Sequence, residues 1–387
     1  MSPHRWQLPP LDDDRPTIAA HALALAALHG PGPWPDGGAP VPGTSSSRSR
    51  PHAKDRRPDP APLISDTVMD GIRTHHLAAG DAPAPTVLPD LLEHVLRVPP
   101  SAEEFRRLRD AAAQPRHPAD TLARRLRGRD LPADRLREVA VRLAGHGTRR
   151  QEVATGIALL GIGGDRRDRE LLLLLGTLED LTLVAAGALH RSQPDPDRAV
   201  YDLARRVEGW GRIDAVHHLR GTTDPEIRGW LLREGYRNTV MDEYLAHLAA
   251  TTGDLRAALA PGSIDEPLLA GAGGILLALC TGGPSADITH YGDGPHVIDR
   301  YLVHAGNHPP NLGRVGVVGT LRRFIAGETV WSGAGPRADA MPLVSGGAGQ
   351  ARRRLRRPDR QDGLARPRPP CAAQRRSRRL PAGGVGR

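Results

Sequence analysis

The feature that most constrains this chain is a repeat of about 30 residues in its middle part, a length within the range of helical-repeat units. Asp165, Asp195, Asp224 and Asp254 open successive segments at a nearly constant spacing. Leucines recur at the same offset, at Leu173, Leu203 and Leu232 in the first halves and at Leu189, Leu219 and Leu248 in the second halves. Each segment therefore predicts a pair of helices whose apolar face is too small to be stable alone, so neighbouring pairs must stack.

Helical patterning extends from about residue 118 to residue 327. The connections are short and rich in Gly, Pro and Asp, as helix hairpins require. No alternation of apolar and polar residues predicts a strand convincingly, and Val315–Val318 is the nearest candidate. We predict an all-α fold, with an α-solenoid of stacked HEAT/armadillo-like hairpins of about 30 residues each over residues 118–327.

The flanking regions differ from this body. A helical N-terminal region is predicted over residues 64–117, where Ser101 and Glu104 form a capping box. We predict that residues 1–63 form a disordered linker with one short helix over 16–29, because Pro, Gly, Ser and Arg dominate the sequence from Gly30 onward. Residues 328–387 predict a disordered Arg-, Pro- and Gly-rich tail. Because the period is lost there, one hypothesis is a shifted reading frame, and the same question applies to residues 40–62.

Two resemblances follow from particular segments. Asp224-Pro-Glu-Ile-Arg228 resembles the start of a HEAT-repeat helix, with Asp at the N-cap and Pro at the first helical position. Residues 64–326, including the segment RDRELLLLLGTLEDLTL, resemble an actinobacterial helical-repeat family often labelled limonene hydroxylase. The family resemblance implies the fold, and its label implies an enzyme. No residue motif connects the label to this chain, so no catalytic residue is carried over.

Charge and composition exclude several functions. Residues 351–387 contain thirteen Arg and two acids, or +11, whereas the whole chain is +9, so the first 350 residues carry −2. A nucleic-acid partner is therefore not predicted, except through the Arg-rich tail. Lys54 is the only lysine and stands in no P-loop, which excludes P-loop nucleotide binding, Schiff-base chemistry and protein-kinase chemistry.

The cysteines, Cys280 and Cys371, form no zinc or disulfide pattern. No membrane span or signal peptide is predicted, and the expected location is cytoplasmic.

The candidate chemical motifs are weak. His217 and His247 share the repeat offset, and Glu243 precedes His247 by four residues, but their spacing matches no zinc pattern. His290, His296, His304 and His308 form the densest histidine cluster. The Gly-rich turns at Gly161 and Gly271 lack the strand that a dinucleotide fingerprint requires. We therefore predict no catalytic residue, no cofactor and no metal.

The remaining candidates combine aromatic rings with arginines. Trp210, Arg212, Arg228, Tyr236 and Arg237 belong to residue types that are favoured in interface hot spots. Trp210 and Tyr236 each follow a glycine in a predicted turn, where a large ring could face a partner. The leading hypothesis is a non-catalytic scaffold that binds an unidentified protein. The alternatives are an enzyme or small-molecule binder, as the family label implies, and a nucleic-acid-associated repeat protein.

Overall fold

The regular secondary structure of this chain is helical wherever the structure describes it. The computed structural model describes residues 6–10, 14–42, 87–114, 122, 125–126, 129–283 and 285–328. These residues form 15 α-helices and no strand, which confirms the all-α prediction for this part of the chain. The described residues belong to one compact unit. The predicted linker beyond residue 42 and the tail beyond residue 328 lie outside them, as do Lys54 and Cys371.

Three helices precede the period. They are α1 (Ile18–His29), α2 (Val87–Arg97) and α3 (Ala102–Ala112). The remaining helices are α4 (Ala133–His146), α5 (Arg150–Gly163), α6 (Arg169–Gly176), α7 (Glu179–Ser192), α8 (Pro196–Ala204), α9 (Gly209–His217), α10 (Pro225–Trp230), α11 (Glu243–Thr252), α12 (Leu255–Ala258), α13 (Glu266–Thr281), α14 (Gly294–Asn307) and α15 (Leu312–Ile325). The strand candidate Val315–Val318 is therefore helical.

Aspartate side chains begin the first helix of successive pairs, which explains why the sequence period is visible in Asp. Asp195 accepts the Arg198 backbone N–H at 3.2 Å at the start of α8, and Asp224 accepts the Glu226 N–H at 2.8 Å at the start of α10. A proline follows each of them at the first helical position. These contacts satisfy N–H groups that have no partner inside the helix.

One helix of each pair joins a row that runs through the molecule. Helix α3 packs on α5, α5 on α7, α7 on α9, α9 on α11, α11 on α13, and α13 on α15. The periodic leucines Leu189, Leu219 and Leu248 are buried along this row. The apolar positions that recur from one segment to the next are therefore core positions.

Two elements depart from simple hairpins. Helix α10 ends at Trp230 and continues as a π-helical turn over Leu231–Gly235. Within this turn, the Trp230 ring packs where a Gly235 side chain would lie. After Asp254, the chain forms only the four-residue helix α12 before α13 begins at Glu266. The repeat is thus regular in its caps and leucines, and less regular in helix length.

An N-terminal segment, residues 14–42, lies across the hairpins, and we call it the strap. It consists of α1 and a 3₁₀ turn over Pro35–Gly38. Helix α1 packs on α4 and α6, and the 3₁₀ turn packs on α7. The Ile18 backbone N–H donates to the Gly147 carbonyl between α4 and α5 at 3.1 Å. The short helix predicted over 16–29 is present.

The strap corrects the prediction that a linker begins at Gly30. Trp34 is only 5% exposed, and Val41 is also buried. Gly32 passes so close to the Arg206 carbonyl that an added Cβ would lie 2.4 Å from its oxygen. Residues 30–42 are therefore held by two apolar side chains and by close backbone packing. The average composition of this Pro- and Gly-rich stretch does not reveal the two buried side chains or the close backbone packing.

Residues 6–10 extend these contacts toward the first hairpin. The Trp6 indole N–H donates to the Val95 carbonyl of α2 at 2.9 Å. Arg142 of α4 donates to the Pro9 carbonyl at 3.2 Å, and Leu8 is buried.

Among the described helices, none is long and apolar enough to cross a membrane.

Candidate functional site at the hairpin loops

A cleft of about 540 Å³ lies between the strap and the loops that join the two helices of each hairpin. We call it the strap cleft. Its residues are Pro33, Trp34, Pro35, Asp36 and Gly37 of the strap, with Thr177, Glu179, Arg206, Val207, Glu208, Gly209 and Thr239 of three successive hairpins. These loops lie at the same end of their hairpins. Stacking therefore brings together side chains that are a full repeat apart in the sequence.

Glu179 occupies the centre of this arrangement. It is the first residue of α7, and its Oε1 accepts the backbone N–H of Trp210 at 2.9 Å, in the first turn of α9. The N-cap residue of α9, Glu208, makes no side-chain cap of its own. Glu179 thus provides for the next hairpin the acceptor that an N-cap normally supplies.

Two glycines make room for the Glu179 carboxylate. Gly37 of the strap and Gly209 of α9 have φ values of +61° and +59°. A Cβ on Gly37 would lie 2.8 Å from Glu179 Oε2, and a Cβ on Gly209 would lie 2.5 Å from Oε1. Only glycine combines this backbone conformation with so close an approach. The carboxylate therefore lies against the strap and the start of α9.

The electrostatics of the cleft are acidic. Burial raises the pKa of Glu179, the N–H groups of Trp210 and Gly211 oppose that rise, and the nearby Asp180 and Asp214 carboxylates add to it. Besides Glu179, the lining of the cleft includes two acidic residues, Asp36 and Glu208, and one basic residue, Arg206. Three carboxylates against one guanidinium favour a cationic group in the cleft.

The two aromatic rings predicted to face a partner are buried instead. Trp210 is 7% exposed, lies inside α9 and packs edge-on against Tyr244 with ring centroids 5.1 Å apart. Tyr236 is 1% exposed, and its hydroxyl lies where a Cβ of Gly274 would be. The prediction that these rings form a contact surface is therefore corrected. A preceding glycine indicates a turn, but hairpin stacking buries the ring.

None of the three predicted arginines, Arg212, Arg228 and Arg237, belongs to the lining of the strap cleft. Arg212 donates to the Val207 carbonyl at 2.9 Å and to the Arg237 carbonyl at 3.3 Å, and burial lowers its pKa. Arg237 is exposed and donates to the Tyr236 hydroxyl at 3.1 Å. Arg228 lies at the other end of the hairpins, where it donates to the Thr252 carbonyl at 3.0 Å.

Sequence reasoning missed the residues that define the cleft, namely Glu179, Glu208 and the strap residues Asp36 and Gly37. One signal could have found the first two, because Glu179 and Glu208 are separated by one repeat length. Nothing in the sequence pattern connects the strap to them. That contact depends on tertiary packing between segments that are far apart in the chain.

The histidine candidates are dispersed. His217 bonds the Ile213 carbonyl of its own helix at 2.8 Å, and His304 is buried with Nε2 3.0 Å from the Leu259 carbonyl. His290 is exposed beside Asp287. Across the described residues, no group of three or more His, Cys, Asp or Glu side chains could hold a metal ion. His75 and His76 lie outside those residues.

Burial and packing also explain the remaining motifs. Burial raises the pKa of the Cys280 thiol to about 12, and the charge of Asp287 adds to this effect, so the thiol stays protonated at neutral pH. Gly271 lies in α13, where a Cβ would stand 2.1 Å from the Leu232 carbonyl oxygen. This glycine allows the π-helical turn to pack directly on α13.

The fold and the cleft define an all-α protein with an acidic cleft at its hairpin loops. Comparison with protein-family models, with curated proteins and with solved structures gave no match.

Proposed function

We propose that this protein is a non-catalytic helical-repeat scaffold, a HEAT-like α-solenoid, that binds another protein. The proposal is supported by the Asp caps that recur with the sequence repeat and by the row of helices from α3 to α15. Such rows grow by adding equivalent hairpins, and the loops at one end form an extended surface. Proteins of this architecture use that surface to bind partners.

The strap cleft is the contact surface of this proposal. The observation that carries it is the ratio of three carboxylates, Asp36, Glu179 and Glu208, to one guanidinium, Arg206, in a cleft of about 540 Å³. The Glu179 carboxylate is partly removed from water, so a cationic partner group would lower the cost of its charge. The partner is therefore a protein segment that inserts a Lys or Arg side chain.

The alternative functions fit this cleft less well. A hydrocarbon substrate such as limonene would need a mainly apolar pocket, whereas carboxylates lose hydration when an apolar group covers them. A nucleic acid would place phosphates beside Asp36, Glu179 and Glu208, where like charges repel. Oε1 of Glu179 is also engaged by the Trp210 N–H, which gives this carboxylate a structural task.

Charge reversal at Glu208 tests the proposal. Glu208 is exposed, so Glu208→Arg should fold normally and bring the charge of the cleft lining from −2 to zero. The full chain is immobilised and used to capture proteins from a cell extract, and captured proteins are quantified by mass spectrometry. We expect a protein retained by the unmodified chain to fall at least tenfold with Glu208→Arg.

The matched control is Glu138→Arg, which makes the same charge change at an exposed α4 residue outside the cleft lining. The captured protein should be retained by this variant. Equal loss with both variants would mean that overall charge, and not the cleft, determines capture. Failure of the unmodified chain to retain any protein above a blank resin would contradict the scaffold proposal itself.

A further inference from the structure

One wall of the strap cleft is supplied by the strap, and the other by hairpin loops far along the chain. Asp36 and Gly37 belong to the strap, whereas Glu179 and Glu208 belong to the hairpins. The cleft therefore has both walls only while the strap is docked. A ligand that contacts both walls binds the docked state more tightly than the released state, so its binding stabilises docking.

The docked strap also fixes the conformation of Asp36. The backbone of this residue is left-handed, with φ +48° and ψ +33°. A residue other than glycine rarely keeps this conformation unless its surroundings impose it. Here the packed neighbours impose it, because Trp34 is 5% exposed and a Cβ on Gly38 would lie 2.6 Å from Cδ2 of Leu178. Release of the strap would therefore remove Asp36 from its place in the cleft lining.

The charge of the cleft lining works against docking. The strap brings Asp36 toward Glu179 and Glu208, and Arg206 is the one basic residue of the lining. The Asp36 side chain is exposed and forms no hydrogen bond or ion pair with any residue that the structure describes. Repulsion among the three carboxylates therefore raises the free energy of the docked state. A cation in the cleft removes this repulsion and leaves the apolar anchors of the strap unopposed.

We propose that the strap is a clamp: a Lys or Arg side chain bound in the strap cleft tightens the docking of the strap, and the docked strap tightens the binding of that side chain. The clamp rests on the function proposed above and adds a means of regulating it. The two effects are equal in size, because binding and docking are linked. Ile18 and Val41 anchor the strap outside the cleft lining, so weakening either contact should release the partner while every lining residue is kept.

Neutralisation of Asp36 tests the clamp without a ligand. Asparagine is close to aspartate in size and tolerates the left-handed conformation, so Asp36→Asn should keep the turn. We expect the amides of α1 to exchange about threefold more slowly in this variant, because less charge opposes docking. Asp14→Asn makes the same charge change at an exposed strap residue outside the cleft lining, and it should leave α1 exchange unchanged. Equal exchange in both variants and the unmodified chain would overturn the clamp.

Small cationic peptides test the response to a ligand. The probes are acetyl-Gly-Arg-Gly-amide and acetyl-Gly-Lys-Gly-amide, each added to the full chain. Acetyl-Gly-citrulline-Gly-amide is the uncharged match, and sodium chloride at equal ionic strength controls for screening. We expect the arginine or the lysine peptide to slow α1 exchange about threefold beyond both controls, and to have less effect on Asp36→Asn. If both charged peptides act no differently from the citrulline peptide, the clamp is overturned.

Capture from a cell extract separates failure of the clamp from failure of the scaffold function. Val41→Ala loosens the strap outside the cleft lining, so we expect the captured protein to fall about threefold. Val98→Ala, at a residue that is 51% exposed, is the matched control and should retain it. If Val41→Ala retains the protein fully and Glu208→Arg loses it, the scaffold function stands and the clamp is overturned. If no protein is retained but a charged peptide slows α1 exchange, the clamp stands and the scaffold function is contradicted.

Discussion

At the scale of single residues, the glycines of α13 decide how closely its neighbours approach. Gly271 lies against the Leu232 carbonyl, Gly273 against the Tyr301 hydroxyl and Gly274 against the Tyr236 hydroxyl. The Tyr236 side chain is fully enclosed, and its burial raises the pKa of its hydroxyl. These glycines therefore act in packing, by leaving space for carbonyl and tyrosine oxygens.

Gly274→Ala should destabilise the protein by about 1–3 kcal/mol, because its Cβ would overlap the Tyr236 hydroxyl at 2.0 Å. The measurement is the free energy of unfolding in urea. Gly145→Ala in α4 is the control, since a Cβ there meets nothing within 4 Å. That control should gain about 0.5–1 kcal/mol from the better helix propensity of Ala. Equal effects of the two changes would contradict the close packing at Gly274.

Glu179 should make stability depend on pH in the direction opposite to most carboxylates. Because its pKa in the folded protein is raised above 4.5, its contribution is complete below that pH and is lost as pH rises through the folded value. Glu179→Gln removes the charge and keeps an oxygen that can accept the Trp210 N–H. Relative to the unmodified chain, this variant should therefore gain stability between pH 4.5 and pH 7.

Glu104 provides a control of opposite sign. Its bonds with Ser101 lower its pKa to about 2, so its contribution is present above pH 4.5 and is lost as pH falls toward 2. Glu104→Gln should therefore lose stability relative to the unmodified chain as pH rises. Urea unfolding at pH 3, 4.5 and 7 compares the variants. The same trend in both would show that Glu179 is not held in a buried, acidic setting.

At the scale of elements, the strap differs most from what composition predicts, because a Pro- and Gly-rich composition predicts a linker. Its anchors Ile18, Trp34 and Val41 are separated by Pro- and Gly-rich stretches, so no helical or strand period connects them. The hairpin helices were predictable because caps and leucines repeat within them, and the last of them, α15, ends at Ile325, close to the predicted limit at residue 327. The strap has no such repeat, because its contacts are made with a distant part of the chain.

Trp34→Ala should release the strap while leaving the later hairpins folded. Truncating a buried Trp to Ala usually costs about 3–5 kcal/mol of stability. Because only the strap would be released here, the stability lost cannot exceed the free energy with which the strap docks on the hairpins. We expect faster hydrogen exchange and faster proteolysis in residues 18–42, with unchanged exchange in α13. Leu28→Ala, at a residue that is 76% exposed, is the control and should change neither. Unchanged exchange of α1 in Trp34→Ala would contradict this anchoring role.

At the scale of the whole molecule, arginine–carboxylate pairs connect successive hairpins. They include Arg137 with Asp168 at 2.6 Å, Arg198 with Asp224 at 2.7 Å, Arg228 with Asp254 at 3.1 Å and Arg256 with Asp293 at 2.8 Å. Partly exposed pairs contribute only about 0–1 kcal/mol each, so apolar packing must supply most of the stability. The pairs help to fix the register between neighbouring hairpins.

The sequence predicts the all-α fold class and the Asp caps of the helices, but it does not predict the strap cleft. The Asp caps act within a few residues, so the sequence around Asp195 and Asp224 predicts them. The burial of Trp210 and Tyr236 depends on Tyr244 and Gly274, which belong to neighbouring helices. Such positions are decided by stacking, and the aromatic residue types alone could not distinguish a core ring from a contact ring.

The contacts of the strap also affect how the chain folds during synthesis. Each hairpin can form from residues that emerge together, whereas Gly32 must wait until Arg206 has been made before it finds its place. At about 5–20 residues per second, that wait is roughly 10–35 s on the ribosome. Residues made first are therefore positioned late, and during that interval Trp34 and its neighbours are available to chaperones.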